Sequence, residues 1–136
     1  MANHARGVRT WVYIDEFHLM FRDDKTTEFF RKFYAVGRKF GATPTGITQN
    51  IEAVLANEAA RSMLANSAFL ALFGQSQTDA DSLCELMGFS DEQRRYFENV
   101  QPGQGLMVSG SRVVGFDSTI DQKGFLYDLY ETTFKG

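Results

Sequence analysis

The stretch TWVYIDEFHLMF occupies residues 10–21. Thr10 to Ile14 is rich in β-branched and aromatic residues, which reads as a buried strand. It stops on two carboxylates, Asp15 and Glu16, and His18 follows two positions later. An ionised carboxylate beside a core strand is costly unless it is paired or bound to a cation. Two adjacent acids at a strand end can divide a task. One holds Mg2+, usually through water, and the next orients or deprotonates an attacking water. In the plainer reading Asp15 caps the following turn and Glu16 is solvated. The pair by itself does not choose between them.

The rest of the chain supplies the context. Asp23-Asp24 can cap a helix running to about Phe40. Its apolar stripe is Phe29, Phe30, Phe33, Tyr34, Val36, Gly37 and Phe40, and Gly41 is a good C-cap. TPTGITQN (residues 43–50) gives a short strand ending near Thr48-Gln49. Two short helices are expected at about Asn50–Leu55 and Glu58–Leu64. SAFLALFG (residues 67–74) is a continuous apolar run, as in a strand covered on both faces. Thr78 can cap a helix to Met87, with Gly88 just beyond it. Ser90-Asp91-Glu92-Gln93 matches a capping box and should open a helix to about Val100. PGQGLMVSGSRVVGFD (residues 102–117) reads as a hairpin turning at Ser109-Gly110-Ser111, and a last helix is expected over Gln122–Thr133.

Strands alternating with helices imply right-handed crossovers and a mostly parallel α/β sheet with helices on both faces. In such sheets ligands gather at the carboxyl ends of the strands. Asp15-Glu16 and Thr48-Gln49 both fall at such ends.

Composition narrows the classes. At 136 residues the chain is one domain's worth, with 43% hydrophobic and 14% aromatic residues, so disorder is excluded. A net charge of -3 gives no overall electrostatic footprint for nucleic acid, and DNA contact stays open. Cys84 is the only cysteine, so no internal disulfide forms. Set among Leu83, Leu86 and Met87, it reads as a core thiol. No run approaches the ~20 apolar residues that span a bilayer, and residues 1–10 lack a signal-peptide core. A cytoplasmic setting is expected.

Four segments together resemble one kind of protein: TWVYIDEFHLMF, RKFGATPTGITQNIEAVLAN (residues 38–57), LMGFSDEQRRYF (residues 86–97) and GQGLMVSGSRVVGFD (residues 103–117). They look like successive pieces of the conjugative-transfer and type IV secretion ATPases of the VirB-four and TraC/TraE type. These belong with the HerA/FtsK-like motors of the RecA-like fold. The resemblance covers about Thr10 to Thr133, and it implies roles. YIDE resembles a Walker B strand, so Asp15 would be the Mg2+-side carboxylate and Glu16 the catalytic base. ITQN resembles a sensor strand, with Thr48 and Gln49 near the γ-phosphate or the attacking water of bound ATP. RKFG resembles a basic motif whose Arg38, or else Lys39, would reach a nucleotide on a neighbouring subunit. The implied partners are further copies in a ring and the transfer machinery at the inner face of a membrane.

Blander roles stand beside these. Gln49 could bond backbone at its strand end, and Arg38 and Lys39 could be a solvated helix face. His18 could complete a metal triad with Asp15 and Glu16, or sit half-buried near them. No GxxxxGK[ST] string occurs in the chain, so the loop that grips ATP phosphates is missing. The expectation is therefore the carboxyl-terminal portion of a RecA-like ATPase domain, inactive alone. The strand at Gly46–Thr48 is expected to pair directly with Ala68–Phe73, or to find a partner in another molecule. Two other readings remain. One is a non-enzymatic α/β binding or regulatory module. The other is a metal-dependent nuclease built on Asp15, Glu16 and His18, with Asp79, Asp81 and Asp117 as further acids by type.

Overall fold

Thr10–Ile14 forms strand β1, its side chains alternating between two faces. In the computed structural model, which describes residues 5–121 and 123–130, β1 pairs in parallel with β2, Ala42–Gly46. The register runs from Thr10 opposite Ala42 to Ile14 opposite Gly46. Helix α1, Asp24–Val36, makes the crossover. Asp23 starts it, its carboxylate accepting the Thr26 backbone N–H at 2.8 Å. After Val36 the chain tightens into a 3-10 turn over Gly37–Phe40, and Gly41 closes it at φ 70°. The Gly41 carbonyl accepts the Thr10 N–H at 2.8 Å, which ties the end of the crossover to the start of β1. Helices α2, Ile51–Ala56, and α3, Glu58–Ala65, follow, capped by Asn50 and Asn57.

The chain divides into two compact units, Met1–Ser67 and Ala68–Gly136. The second holds β3 (Phe69–Phe73), helix α4 (Gln77–Met87), a short helix α5 (Asp91–Arg94), β4 (Gln104–Ser109), β5 (Arg112–Asp117) and α6 (Phe125–Tyr130). Its sheet is antiparallel in the order β3-β4-β5. Ser109 pairs with Arg112, leaving Gly110-Ser111 as a two-residue turn with Gly110 at φ 59°. Leu72, Ala80, Leu83, Phe97 and Leu106 form its core. Among the described residues no helix is long and apolar enough to cross a membrane.

The α/β class and the closing hairpin match the sequence reading. The partners of β3 do not. Instead of pairing with the strand after α1, β3 takes β4, which the hairpin holds beside it. Parallel pairing among the described strands is confined to β1 and β2. Neither β1 nor β3 is covered on both faces. Val12 and Ile14 turn inward, but Trp11 and Tyr13 are 61% and 68% exposed. Likewise Leu72 is buried between exposed Phe69 and Phe73. An apolar residue at every position does not tell how many faces will be covered.

The stripe on α1 is wider than its buried part. Phe30, Phe33 and Tyr34 are half-buried, whereas Phe29 lies exposed against Phe30 and Phe33. Val36 and Phe40 also sit at the rim, so Phe29 and Phe40 are not core. Ser76, not Thr78, caps α4, accepting the Asp79 N–H at 3.2 Å. The capping box at Ser90 forms, but α5 ends at Arg94. The chain leaves the helix because its backbone joins Gln75. Gln75 donates to the Phe97 carbonyl at 2.7 Å, and Asn99 donates to the Gln75 carbonyl at 2.9 Å. Arg94 fixes the exit through ion pairs with Asp81 and Glu98. Residue 122 and residues 131–133 of the last expected helix lie outside the described residues.

Asp117 closes the open end of the β4–β5 hairpin. Its carboxylate accepts from the Gln104 amide at 3.0 Å and from the Thr119 N–H at 2.9 Å. These bonds, with the Gln104 contact foremost and the Thr119 hydroxyl next, hold its pKa down at about 2. A depressed folded-state pKa stabilises above the unfolded value, and the benefit is lost as pH falls toward 2. Acid titration of unfolding should therefore be shallower between pH 4 and 2 in Asp117→Asn than in the parent. Identical titrations would mean that the carboxylate does not hold the hairpin.

Candidate functional site

The ends of β1 and β2 are stitched together beyond the ladder. The Ile14 carbonyl accepts the Ile47 N–H, and the Ile47 carbonyl accepts the Phe17 N–H, both at 2.8 Å. Between these bonds the chain must turn sharply, and Glu16 does so in the left-handed region, at φ 49° and ψ 44°. That conformation is uncommon for a residue with a Cβ. Asp15 supports the turn, its Oδ1 accepting the Glu16 N–H at 2.9 Å. The 3-10 turn Phe17–Phe21 follows.

Phe17 anchors this turn. Its ring meets Phe21 and Phe30 edge-on at 4.9 and 5.5 Å and stacks on Tyr34 at 5.4 Å. Gly46, the last residue of β2, makes room for it. A Cβ there would lie 2.5 Å from the Phe17 ring and 2.9 Å from the Tyr34 hydroxyl. Burial pushes the Tyr34 phenol above its ordinary pKa, so the cluster stays uncharged.

With Phe17 pinned, His18 is directed at the neighbouring strand end. Its side chain is only 14% exposed, and Nδ1 lies 3.0 Å from Thr48 Oγ1 and 3.4 Å from Glu16 Oε2. Thr48 Oγ1 also accepts the Asn50 N–H at 3.1 Å. The Asn50 side chain in turn caps α2 through the Ala53 N–H at 2.9 Å. Asp15 is exposed and the Glu16 carboxylate is 44% exposed, so both can meet a ligand from solvent. Gln49 follows, exposed, with no hydrogen bond from its amide among the described residues.

Asp15, Glu16, Thr48 and Gln49 thus share one end of the parallel pair. Arg38 and Lys39 do not join them. They lie exposed on the 3-10 turn that enters β2. The five residues of β2 separate the two ends by roughly 16 Å at ~3.3 Å per residue. Neither basic side chain spans that distance.

The arrangement bears on metals. Among the described residues no three His, Cys, Asp or Glu side chains converge as a metal cage. Asp79 is held by Ser76, Asp81 by Arg94 and Asp117 by Gln104, so each of the three further acids of the nuclease reading is engaged within the second unit. One solvent-facing carboxylate such as Asp15 nevertheless suits Mg2+, which keeps most of its waters and takes one or two carboxylates beside substrate phosphates. Cys84 is half-buried, and burial raises its thiol pKa, as befits an unreactive packing residue.

The contact that sequence reasoning missed is His18 with Thr48, thirty positions apart. Its one trace in the sequence is Thr48-x-Asn50 ahead of an apolar helix, a capping pattern that fixes where the Thr48 hydroxyl sits.

No protein-family model matches the chain, and no curated protein matches it. Among solved structures it is similar to VirB4 of Thermoanaerobacter pseudethanolicus, at 25% sequence identity and a TM-score of 0.74. The match covers 83% of this chain and 31% of that one. The chain is VirB4-like in structure, and its mixed α/β architecture is that of a partial RecA-like domain.

The Gly46–Phe17 contact can be tested directly. Gly46→Ala must push the ring out of its cluster, and overpacking of this kind costs about 1–3 kcal/mol. Urea unfolding should show that loss. An unchanged midpoint would mean that the turn after β1 does not depend on Gly46.

Proposed function

We propose that this chain is part of a VirB4-like type IV secretion ATPase, carrying its Walker B and sensor residues. The observation that carries the reading is that Asp15-Glu16 and Thr48-Gln49 follow the carboxyl ends of adjacent parallel strands, with His18 lying between Glu16 and Thr48. In open α/β sheets that is where a nucleotide is bound.

The roles follow from placement. Asp15 would hold the Mg2+ that accompanies ATP. Bound with ATP, Mg2+ neutralises phosphate charge. Glu16, half-exposed beside it, accepts the proton of the water that attacks the γ-phosphorus. The attacking oxygen bonds to phosphorus, the bond to the ADP oxygen breaks, and the proton resides on the Glu16 carboxylate. Gln49 offers an amide that can donate to a phosphate oxygen and accept from that water. Thr48 holds the sensor end in place through its bonds to His18 and Asn50. Arg38, with Lys39 beside it, serves a nucleotide on a neighbouring copy, where a guanidinium matches developing charge.

In this reading the parent works as a homo-oligomeric ring beside the transfer machinery at the inner face of a bacterial membrane. It couples ATP hydrolysis to conjugative transfer of DNA or protein, or to building the channel. The chain spans 31% of the length of the VirB4 that it matches. Its sequence holds no loop of the form that grips β- and γ-phosphates.

Two outcomes are expected. This chain alone should show negligible ATP turnover, and turnover that disappears in Glu16→Gln would overturn that. A longer reading frame containing this chain together with a phosphate-gripping loop should hydrolyse ATP. There Glu16→Gln should lower kcat by about a hundredfold or more with KM little changed. Undiminished turnover would remove Glu16 from the chemistry.

A further inference from the structure

Gln49 is presented to solvent by a turn built from its neighbours. The chain bends at Gln49 itself, which is exposed. Thr48 Oγ1 accepts the Asn50 N–H at 3.1 Å and closes a turn around it. The Asn50 side chain accepts the Ala53 N–H at 2.9 Å, which anchors the far side of the turn to α2. On the near side, backbone bonds tie Ile47 to Ile14 and Phe17. Beyond Ile47 the link to the first strand end passes to a side chain, as His18 Nδ1 lies 3.0 Å from Thr48 Oγ1.

A hydroxyl can donate to an imidazole nitrogen or accept from one, so this contact forms with either tautomer of the ring. The ring has little room to move. Its side chain is 14% exposed, and it follows buried Phe17 in the turn after β1. The same nitrogen lies 3.4 Å from Glu16 Oε2, so one rigid ring touches both strand ends.

We infer that His18 is a positioning residue for Gln49, a spacer that fixes the distance of the Thr48–Asn50 turn from Asp15-Glu16. The inference rests on the reading of Gln49 as the group that meets the γ-phosphate and the attacking water. An amide on an exposed bend serves that purpose only if its backbone is held in place. A displacement of about 1 Å, even from a change far from the chemistry, can cost about a hundredfold in rate. In this role His18 touches neither the nucleotide nor the water. It holds the backbone from which Gln49 reaches them.

Two measurements test this. The first uses this chain and needs no nucleotide. By 15N relaxation, the Gln49 and Asn50 backbone amides should become more mobile in His18→Ala and in Thr48→Val. The gain should be smaller in Thr48→Ser, which keeps the hydroxyl. The Gly41 amide, at the other end of β2, should keep its parent value. Unchanged Gln49 and Asn50 amides in His18→Ala, an equal change at Gly41, or a Thr48→Ser as mobile as Thr48→Val overturns the spacer.

The second uses the longer ATP-hydrolysing protein. His18→Ala should lower kcat about tenfold with KM for ATP little changed. His18→Asn, whose amide nitrogen stands near the position of Nδ1, should recover part of that loss. In a Gln49→Ala background His18→Ala should cost nothing further, since no side chain is left to position. Equal losses in both backgrounds would overturn the inference. If Gln49→Ala leaves turnover intact, or the longer protein shows none, the reading of Gln49 fails and the spacer with it. A protein slowed by Gln49→Ala yet indifferent to His18→Ala sinks the spacer alone.

Discussion

The Phe17 ring lies where a side chain on Gly46 would otherwise stand, and the site at the strand ends depends on that exchange of space. A buried aromatic ring stabilises a turn by about 1.5–3 kcal/mol through the apolar surface it removes from water. Here the same burial directs the chain. Phe17 can enter the cluster of Phe21, Phe30 and Tyr34 only if the backbone reverses at once after β1. The reversal puts Glu16 in a left-handed conformation, which costs of order 1–3 kcal/mol. It leaves both acids facing solvent and directs His18 at β2. Packing beneath the site thus offsets the strain within it.

The two units solve the covering of a sheet in the same incomplete way. In the first, α1 packs on β2, while Trp11 and Tyr13 on β1 are exposed. In the second, Leu72 and Leu106 are buried, while Phe69, Phe73 and Val114 are exposed. A two-stranded parallel pair has little stability of its own. What holds β1 to β2 is therefore the inner-face packing on α1 and the backbone bonds at both ends, from Thr10–Gly41 to Phe17–Ile47.

Much of this was legible from residue types. Asp23, Asn50, Gly41, Gly88 and the Ser90 capping box mark helix ends by local chemistry, which acts within a few residues and survives any tertiary setting. The Gly110-Ser111 turn was legible for the same reason. Long-range pairing was not. SAFLALFG reads the same whether its neighbour is the hairpin or the strand after α1, because an apolar run has no preferred partner. Coverage was not legible either, since Trp11 and Tyr13 suit a buried face as well as they tolerate an open one. At the site, Asp15-Glu16 at a strand end followed from order alone. The His18–Thr48 bond depends on the turn that Phe17 imposes, and the local pattern at Thr48-x-Asn50 marks only one of its two ends.

The polarity of the parallel pair constrains the proposed chemistry further. Parallel strands put all their carboxyl ends on one side, so residues that enter β2 and residues that leave it never face the same ligand. Asp15, Glu16, Thr48 and Gln49 lie on the leaving side, and Arg38 and Lys39 on the entering side. A basic residue on the entering side is poorly placed to neutralise phosphate charge in its own chain. Stacked head to tail, a second copy would bring its entering side to the first copy's leaving side. A heterologous contact of that kind closes into a ring when its rotation permits. Under the proposed function, the crossover helix that carries the chain from the acids back to RKFG at the start of β2 is what makes the base intramolecular and the cation intermolecular.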